Sequence, residues 1–322
     1  LKPATETPPP PEPEERPADQ TFLTYPEWFL VFSPRERADF LLRNEPPSHF
    51  PYLTHVGQLW SGYRAVAGAV PAGSSNPGYH LMIGVIATST TVEYSLLALY
   101  EGLVGSFAER LPAAPVEEHI GATAADAYVR FIEVRPWYEF DFDAQLRRVW
   151  AAPLPHDRSV LRALERRYAM TTEFGAKALY GRLIRAATGA IYMPAAPTTR
   201  TVVQATTAQA TDLFPDSRVE QVAGATTVWL PRYQAFTAAV ARLAASGVAI
   251  AEVAGNRGDI LLSLRTRPGW SLPPVPGLRL LRREPVVTEA EERLLVVVPV
   301  GGLVAAVQGI GDGARVEHVF DY

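Results

Sequence analysis

Cysteine is absent from the 322 residues. The chain therefore has no disulfide framework, thiolate zinc site or cysteine nucleophile. Lysine is almost absent as well. Of 30 basic residues only Lys2 and Lys177 are lysine, a bias that fits GC-rich coding and carries no functional weight. Charged residues make up 20% and the net charge is −4, so the basic footprint of a nucleic-acid binder is missing. Long apolar runs are missing too. The uncharged stretch from Ala65 to Val92 contains VPAGSSNPG, and the stretch from Leu294 to Gly311 contains Pro299 and the Gly301–Gly302 pair. Neither offers the ~20 continuous apolar helical residues of a membrane span. There is no GxSxG elbow, no Walker-type phosphate loop and no GxGxxG at a strand-to-helix turn. The histidines (His49, His55, His80, His119, His156 and His318) show no zinc-motif spacing.

What is present suffices for a core: 48% of the residues are hydrophobic, in a chain long enough for two domains. Residues 1–20 are Pro-rich and acidic and predict an extended linker or tail. Residues 21–196 predict a helical domain. An aromatic cluster (Phe22, Tyr25, Trp28, Phe29, Phe32) leads to a short helix capped by Ser33 with Pro34 at its first position. Five more helices follow: Leu53–Val70, Tyr79–Leu111, Val116–Val134, Phe142–Ala152 and Asp157–Tyr192. Tyr79–Leu111 carries only Glu93 and Glu101 as charges up to Ala108; being apolar nearly all round, it belongs in a bundle centre. Residues 197–217 read as a connection with one short helix at most. From 218 onward short β-branched runs take over. TTVWLPRYQAFTAAVARLAASGVAIAEV aligns with LLVVVPVGGLVAAVQGIGDGARVEHV, each preceded by a strand (VEQV, LRLL). The fold class expected is α+β, with a helical domain followed by a duplicated ββαβ, ferredoxin-like domain over 197–322.

The helical half also repeats itself. TVEYSLLALYEGLV (91–104) matches TTEFGAKALYGRLI (171–184) at an offset of 80: Glu93 with Glu173, Tyr94 with Phe174, Leu99 with Leu179, Tyr100 with Tyr180, Leu103 with Leu183. Each Glu shares a helix face with the Tyr seven residues on. Two carboxylates and two phenols could converge on a metal, but the Glu-x-x-His partner of such sites is missing. Glu173 instead precedes Lys177 by four, an ordinary helix ion pair. The expectation is a buried polar set, Glu93, Tyr100, Glu173 and Tyr180, without metal or cofactor.

Charge is uneven. Residues 144–193 hold nine bases against three acids, a basic segment suited to anionic lipid or an acidic partner. The aromatic stretch RPWYEFDFD suits a protein interface. Trp28, Phe29, Trp137, Tyr138, Arg162, Arg166, Arg182 and Arg185 are therefore the candidate interaction surface.

TYPEW, FPYLTHVGQLWSGYRAV, the paired VEY…LY and TEFGAKALYG helices and the ending VEHVFDY resemble a group of uncharacterised bacterial proteins. The resemblance covers most of residues 21–322. Those relatives carry a hydrophobic anchor before a Pro-rich spacer, which implies an exported, membrane-tethered or membrane-peripheral placement and brings no catalytic residues. Leu1 stands where an initiator methionine would, which fits an upstream segment having been removed. The expectation is a non-enzymatic, membrane-peripheral accessory or scaffolding subunit without a transmembrane helix of its own, for instance in a respiratory or photosynthetic assembly. Its periplasmic side is favoured, its partners are other protein subunits and anionic lipid, and nucleic acid is not among them. The alternatives are a helical ligand-binding protein or enzyme built on Glu93 and Glu173, and a small-molecule sensor on the ferredoxin-like half.

Overall fold

The computed structural model describes residues 15–70, 73–74, 76–188 and 198–321. Helices come first and two sheets second, an α+β arrangement. The helices are α1 (Ala18–Leu42), α2 (Tyr52–Ala69), α3 (Pro77–Tyr100), α4 (Ser106–Ala108), α5 (Pro115–Ile132), α6 (Phe142–Ala151) and α7 (Val160–Thr188). A π-helical turn at Glu101–Gly105 joins α3 to α4, so Pro77–Ala108 is one rod of 32 residues. Helix α1 begins inside the stretch read as spacer. It is one helix of 25 residues with Pro26 and Pro34 inside it, not an aromatic cluster followed by a separate helix. Each interior proline costs ~3 kcal/mol or more. Burial of Phe22, Tyr25, Phe29 and Phe32 along the same helix offsets that cost. Ser33 is no cap; its hydroxyl lies 2.8 Å from that of Tyr94.

Sheet A holds β1 (Thr198–Val203), β2 (Val219–Val222), β3 (Ala225–Pro231) and β4 (Ile250–Val253), in the order β2-β3-β1-β4, with helices α8 (Thr207–Leu213) and α9 (Gln234–Ala245). Sheet B holds β5 (Asp259–Thr266), β6 (Arg279–Val286), β7 (Glu291–Pro299) and β8 (Ala314–Val319), in the order β6-β7-β5-β8, with helix α10 (Leu303–Gly309). Both sheets are antiparallel. Strand β1 and the Thr206-capped helix α8 occupy the stretch read as a connection. Each sheet also has a β-bulge where its first strand meets its last. Ala251 is the extra residue in sheet A and Glu317 in sheet B.

The two sheets differ in what their second faces carry, and the sequence writes the difference. One face of each closes on α9 and α10 in a shared core: Val228 and Leu230 from sheet A, Ile260, Leu262, Val296 and Val298 from sheet B. The other face of sheet A carries Arg200, Val202, Thr227 and Trp229. The other face of sheet B is Leu261, Leu295 and Val297, and with Phe320 it packs under α1, α2 and α3. Covered on both faces, β7 reads as the continuous run LLVVV rather than an alternation.

A charged knot sits in that helix–sheet junction. The bulge at Glu317 re-aims its side chain, which takes two hydrogen bonds from Arg293, at 2.7 and 2.8 Å, and one from Ser263 at 2.6 Å. Arg293, wholly buried, also reaches Glu36 on α1 at 2.9 Å. Tyr25 donates to Glu284 at 2.7 Å. Burial alone would raise the Glu317 carboxyl, but Arg293 outweighs it and brings it down to about 2. His55 and His318 are lowered to about 3, both chiefly by burial. The helical region and sheet B thus share one core and one ion network. The residues around the expected boundary at 196 lie outside the described ones.

Candidate functional site

Helices α3 and α7 run antiparallel and are tied by side chains. Lys177 Nζ lies 2.9 Å from Glu93 Oε1 and 2.9 Å from Glu173 Oε1. Arg37 of α1 grips Glu173 with two bonds of 2.7 and 2.8 Å. Two turns along, Tyr100 donates to Glu165 at 2.8 Å, and Arg166 binds both oxygens of Glu101 at 3.0 and 3.1 Å. Arg162 reaches the Gly105 carbonyl at 3.4 Å. The π turn presents Glu101 inward, and Gly105 makes room for it: a Cβ there would collide with the Glu101 carboxylate. Burial opposes the charges of Glu173 and Lys177, yet the pairing prevails. Arg37 and Lys177 hold Glu173 below the ordinary carboxylate range, and Glu173 and Glu93 hold Lys177 above the ordinary lysine range. The two glutamates of the repeat do converge, on an ammonium group. Among the described residues no group of three or more His, Cys, Asp or Glu could hold a metal ion.

The candidate residues are distributed as follows. Glu93, Tyr100 and Glu173 are partly buried and bonded as above. Tyr180 is exposed and stacks on Trp137 with ring centres 5.2 Å apart, so it does not belong to a buried set with the others. Four members of the expected interaction surface are inside the protein. Trp28 stacks on His318 at 3.5 Å, and Phe29 packs beside Tyr25 and His55. Arg162 and Arg166 are 2% and 5% exposed and are consumed by internal pairs. The basic excess of 144–193 is thus largely neutralised: Arg167 binds Glu117 and the carbonyls of Ala152 and Pro153, and Arg182 binds Asp143. Trp137 and Tyr138 are half-buried in a 3₁₀ turn, and Arg182 and Arg185 are exposed.

Charges face inward on α3 and α7, and apolar groups face out. From Leu81 to Phe107, about 39 Å of helix at 1.5 Å per residue, no exposed residue is charged. The same holds on α7 from Leu161 to Tyr180, about 29 Å. The repeat now has a physical meaning. Tyr94 and Phe174 are buried, while Leu99 and Leu179 are each 60% exposed and Leu103 and Leu183 are 66% and 60% exposed. Both copies turn the same leucines to the outside. Sequence reasoning missed this surface because a leucine stripe normally marks the buried side. The signal available was the scarcity of charge, with only Glu93 and Glu101 from Tyr79 to Ala108. Pro77–Ala108 is also the one helix among the described residues long and apolar enough to cross a membrane, and only 17% of its most apolar window is buried. It stands at the edge of the helical bundle, where the sequence had placed it at the centre.

Between α3, α5 and α7 lies an open cleft of about 2470 Å³. Leu96, Leu99 and Leu103 form one wall, and Ala125, Tyr128 and Ala176 belong to the others. No protein-family model matches the chain, and no curated protein or solved structure matches it either.

Proposed function

We propose that this chain is a non-enzymatic, membrane-associated interaction protein whose seat on the lipid is the uncharged outer face of α3 and α7. The observation that carries this reading is the inverted pattern of that helix pair, with ions paired inside and leucines outside. In water such a face is costly: at about 25 cal/mol per Å² of apolar surface, several large leucines left uncovered favour a cover. Contiguous apolar surface of this kind marks interaction sites. Lipid rewards the same arrangement, because ionisable groups near hydrocarbon point inward and pair with one another. Charged helices on the flanks (α6 exposes Arg147 and Arg148) favour a protein lying on the membrane by one face over one that crosses it. The sheets then stand clear of the lipid, and we infer that they form a duplicated ferredoxin-like module offered to other protein subunits of a membrane assembly.

The test is flotation of the full chain with vesicles of zwitterionic phosphatidylcholine. Because the contact is apolar and not ionic, the chain rises with neutral vesicles at low and high salt alike. Protein left at the bottom of the gradient, monodisperse at both salt concentrations, contradicts the reading.

A further inference from the structure

A five-residue stretch of α1 is tied to five other elements. Ser33 meets Tyr94 of α3 at 2.8 Å. Arg35 binds Asp126 of α5, and Glu133 just past its end, at 3.0 and 2.8 Å. Glu36 accepts from Arg293 of β7 at 2.9 Å and lies 3.6 Å from His55 of α2. Arg37 holds Glu173 of α7 through two bonds. One bonded path from α7 to sheet B therefore runs from Glu173 to Arg37, across a single peptide unit to Glu36, and on to Arg293 and Glu317.

The path has little slack. Successive helical residues point roughly 100° apart, so Arg35, Glu36 and Arg37 fan around α1 and a turn of that helix acts on all three ties. Arg37 with Glu173, and Arg293 with Glu317, are two-bonded forks, which fix geometry better than single ion pairs. Pro34 lies at the start of the stretch and has no N–H for the Leu30 carbonyl, so the helical ladder is interrupted there. The tied segment can thus turn while the first half of α1 stays locked by Phe22, Tyr25 and Phe29. The near end of the path is open: Pro34, Arg37 and Glu173 line the cleft. Hydrocarbon set against the cleft lowers the dielectric around Arg37 and Glu173 and strengthens their attraction.

We propose that α1 is a relay between the lipid seat and the sheets. Seating the α3–α7 face tightens Arg37 on Glu173, and the same stretch of α1 then draws Glu36 firmly onto Arg293. Sheet B is held more rigidly on the membrane than off it, which makes the surface it offers to partner subunits depend on the membrane. Lipid as the input rests on the membrane reading; the coupling of the two seams through α1 does not.

The test has two arms, both on the full chain. In solution, urea unfolding is measured for Glu173→Gln, Glu317→Gln and the double variant. The two glutamates sit on different elements and share no bonded partner, so independent sites would multiply their effects on the unfolding constant. The relay predicts a double variant less destabilised than that product by more than about threefold, because one break already slackens the path; any other result overturns the coupling. Glu36→Met, paired with Glu173→Gln in the same way, guards against Glu317→Gln failing to fold. On phosphatidylcholine vesicles, amide exchange in β6 and β7 should slow by at least about threefold. Glu36→Met should float as before and lose that slowing. Slowing confined to α3 and α7, or kept in Glu36→Met, overturns the relay. A chain that stays coupled in solution yet fails to float removes lipid as the input, and the membrane reading with it.

Discussion

Two seams in this molecule are built from the same parts and end differently. At the junction of α1 with sheet B, and between α3 and α7, arginines or a lysine meet glutamates in partly dry surroundings. The junction is sealed: Leu261, Leu295, Val297 and Phe320 close around Arg293 with the aromatic face of α1. The α3–α7 seam is open, with exposed leucines lining the same cleft as its paired charges. The sealed seam fixes the fold, since a buried arginine stripped of partners would be untenable. The open seam leaves a surface that the protein does not itself cover. The contrast teaches that an apolar stripe and a charged stripe on one helix do not by themselves say which side faces in.

The largest expected effect breaks the sealed seam. Arg293→Ala strands Glu36 and Glu317 in the core and should cost about 3–5 kcal/mol in urea unfolding. Lys177→Ala, at the open seam, should cost less, about 1–3 kcal/mol, because Glu173 keeps both bonds to Arg37. Equal losses would erase the distinction between the seams.

Acid should act on the sealed seam next. Glu317 titrates at about 2 against an ordinary 4.5. The unfolded chain therefore takes up that proton first, and stability falls as pH drops from 4.5 through 2. His55 and His318, at about 3 against 6.5, stay neutral in the fold while the unfolded chain protonates. Their contribution is complete above pH 6.5 and is lost progressively towards pH 3. Each displaced pKa unit corresponds to ~1.4 kcal/mol, so a decline of a few kcal/mol should appear in urea midpoints across pH 6.5 to 3. His55→Phe should flatten that slope, and an unchanged slope would remove His55 from the account.

The smallest effect concerns the exposed arginines. Charge reversal at Arg182 and Arg185 should alter binding to anionic vesicles by no more than ~1 kcal/mol per residue, and only at low salt. Reversal at Arg162 or Arg166 would instead unfold the helical region, because both are buried in ion pairs.

Much of this was legible in the residues. Strand β7, the helix expected from Tyr79, the internal repeat at an offset of 80 and the order of strands around α9 and α10 follow from period and turns. Other features were not. Strand β1, TTRTVV, looks like a connection until β3 and β4 pair with it. Helix α1 keeps two interior prolines because sheet B holds it, a tertiary effect invisible to local rules. At the candidate site the sequence brought out Glu93, Glu173, Tyr100 and Tyr180 through the repeat. It could not show that Lys177 lies between the two glutamates, or that Arg162 and Arg166 point inward. Those depend on the antiparallel approach of two helices more than 60 residues apart.

The central claim is that the outer face of α3 and α7 meets hydrocarbon. A fluorophore placed singly at Leu99, Leu164 or Arg257 and read with lipids brominated along their acyl chains tests it most directly. The account predicts strong quenching at Leu99 and Leu164 on neutral vesicles and none at Arg257, on the sheet A side of the molecule. Equal and negligible quenching at all three positions, with the protein bound to the vesicles, would contradict it.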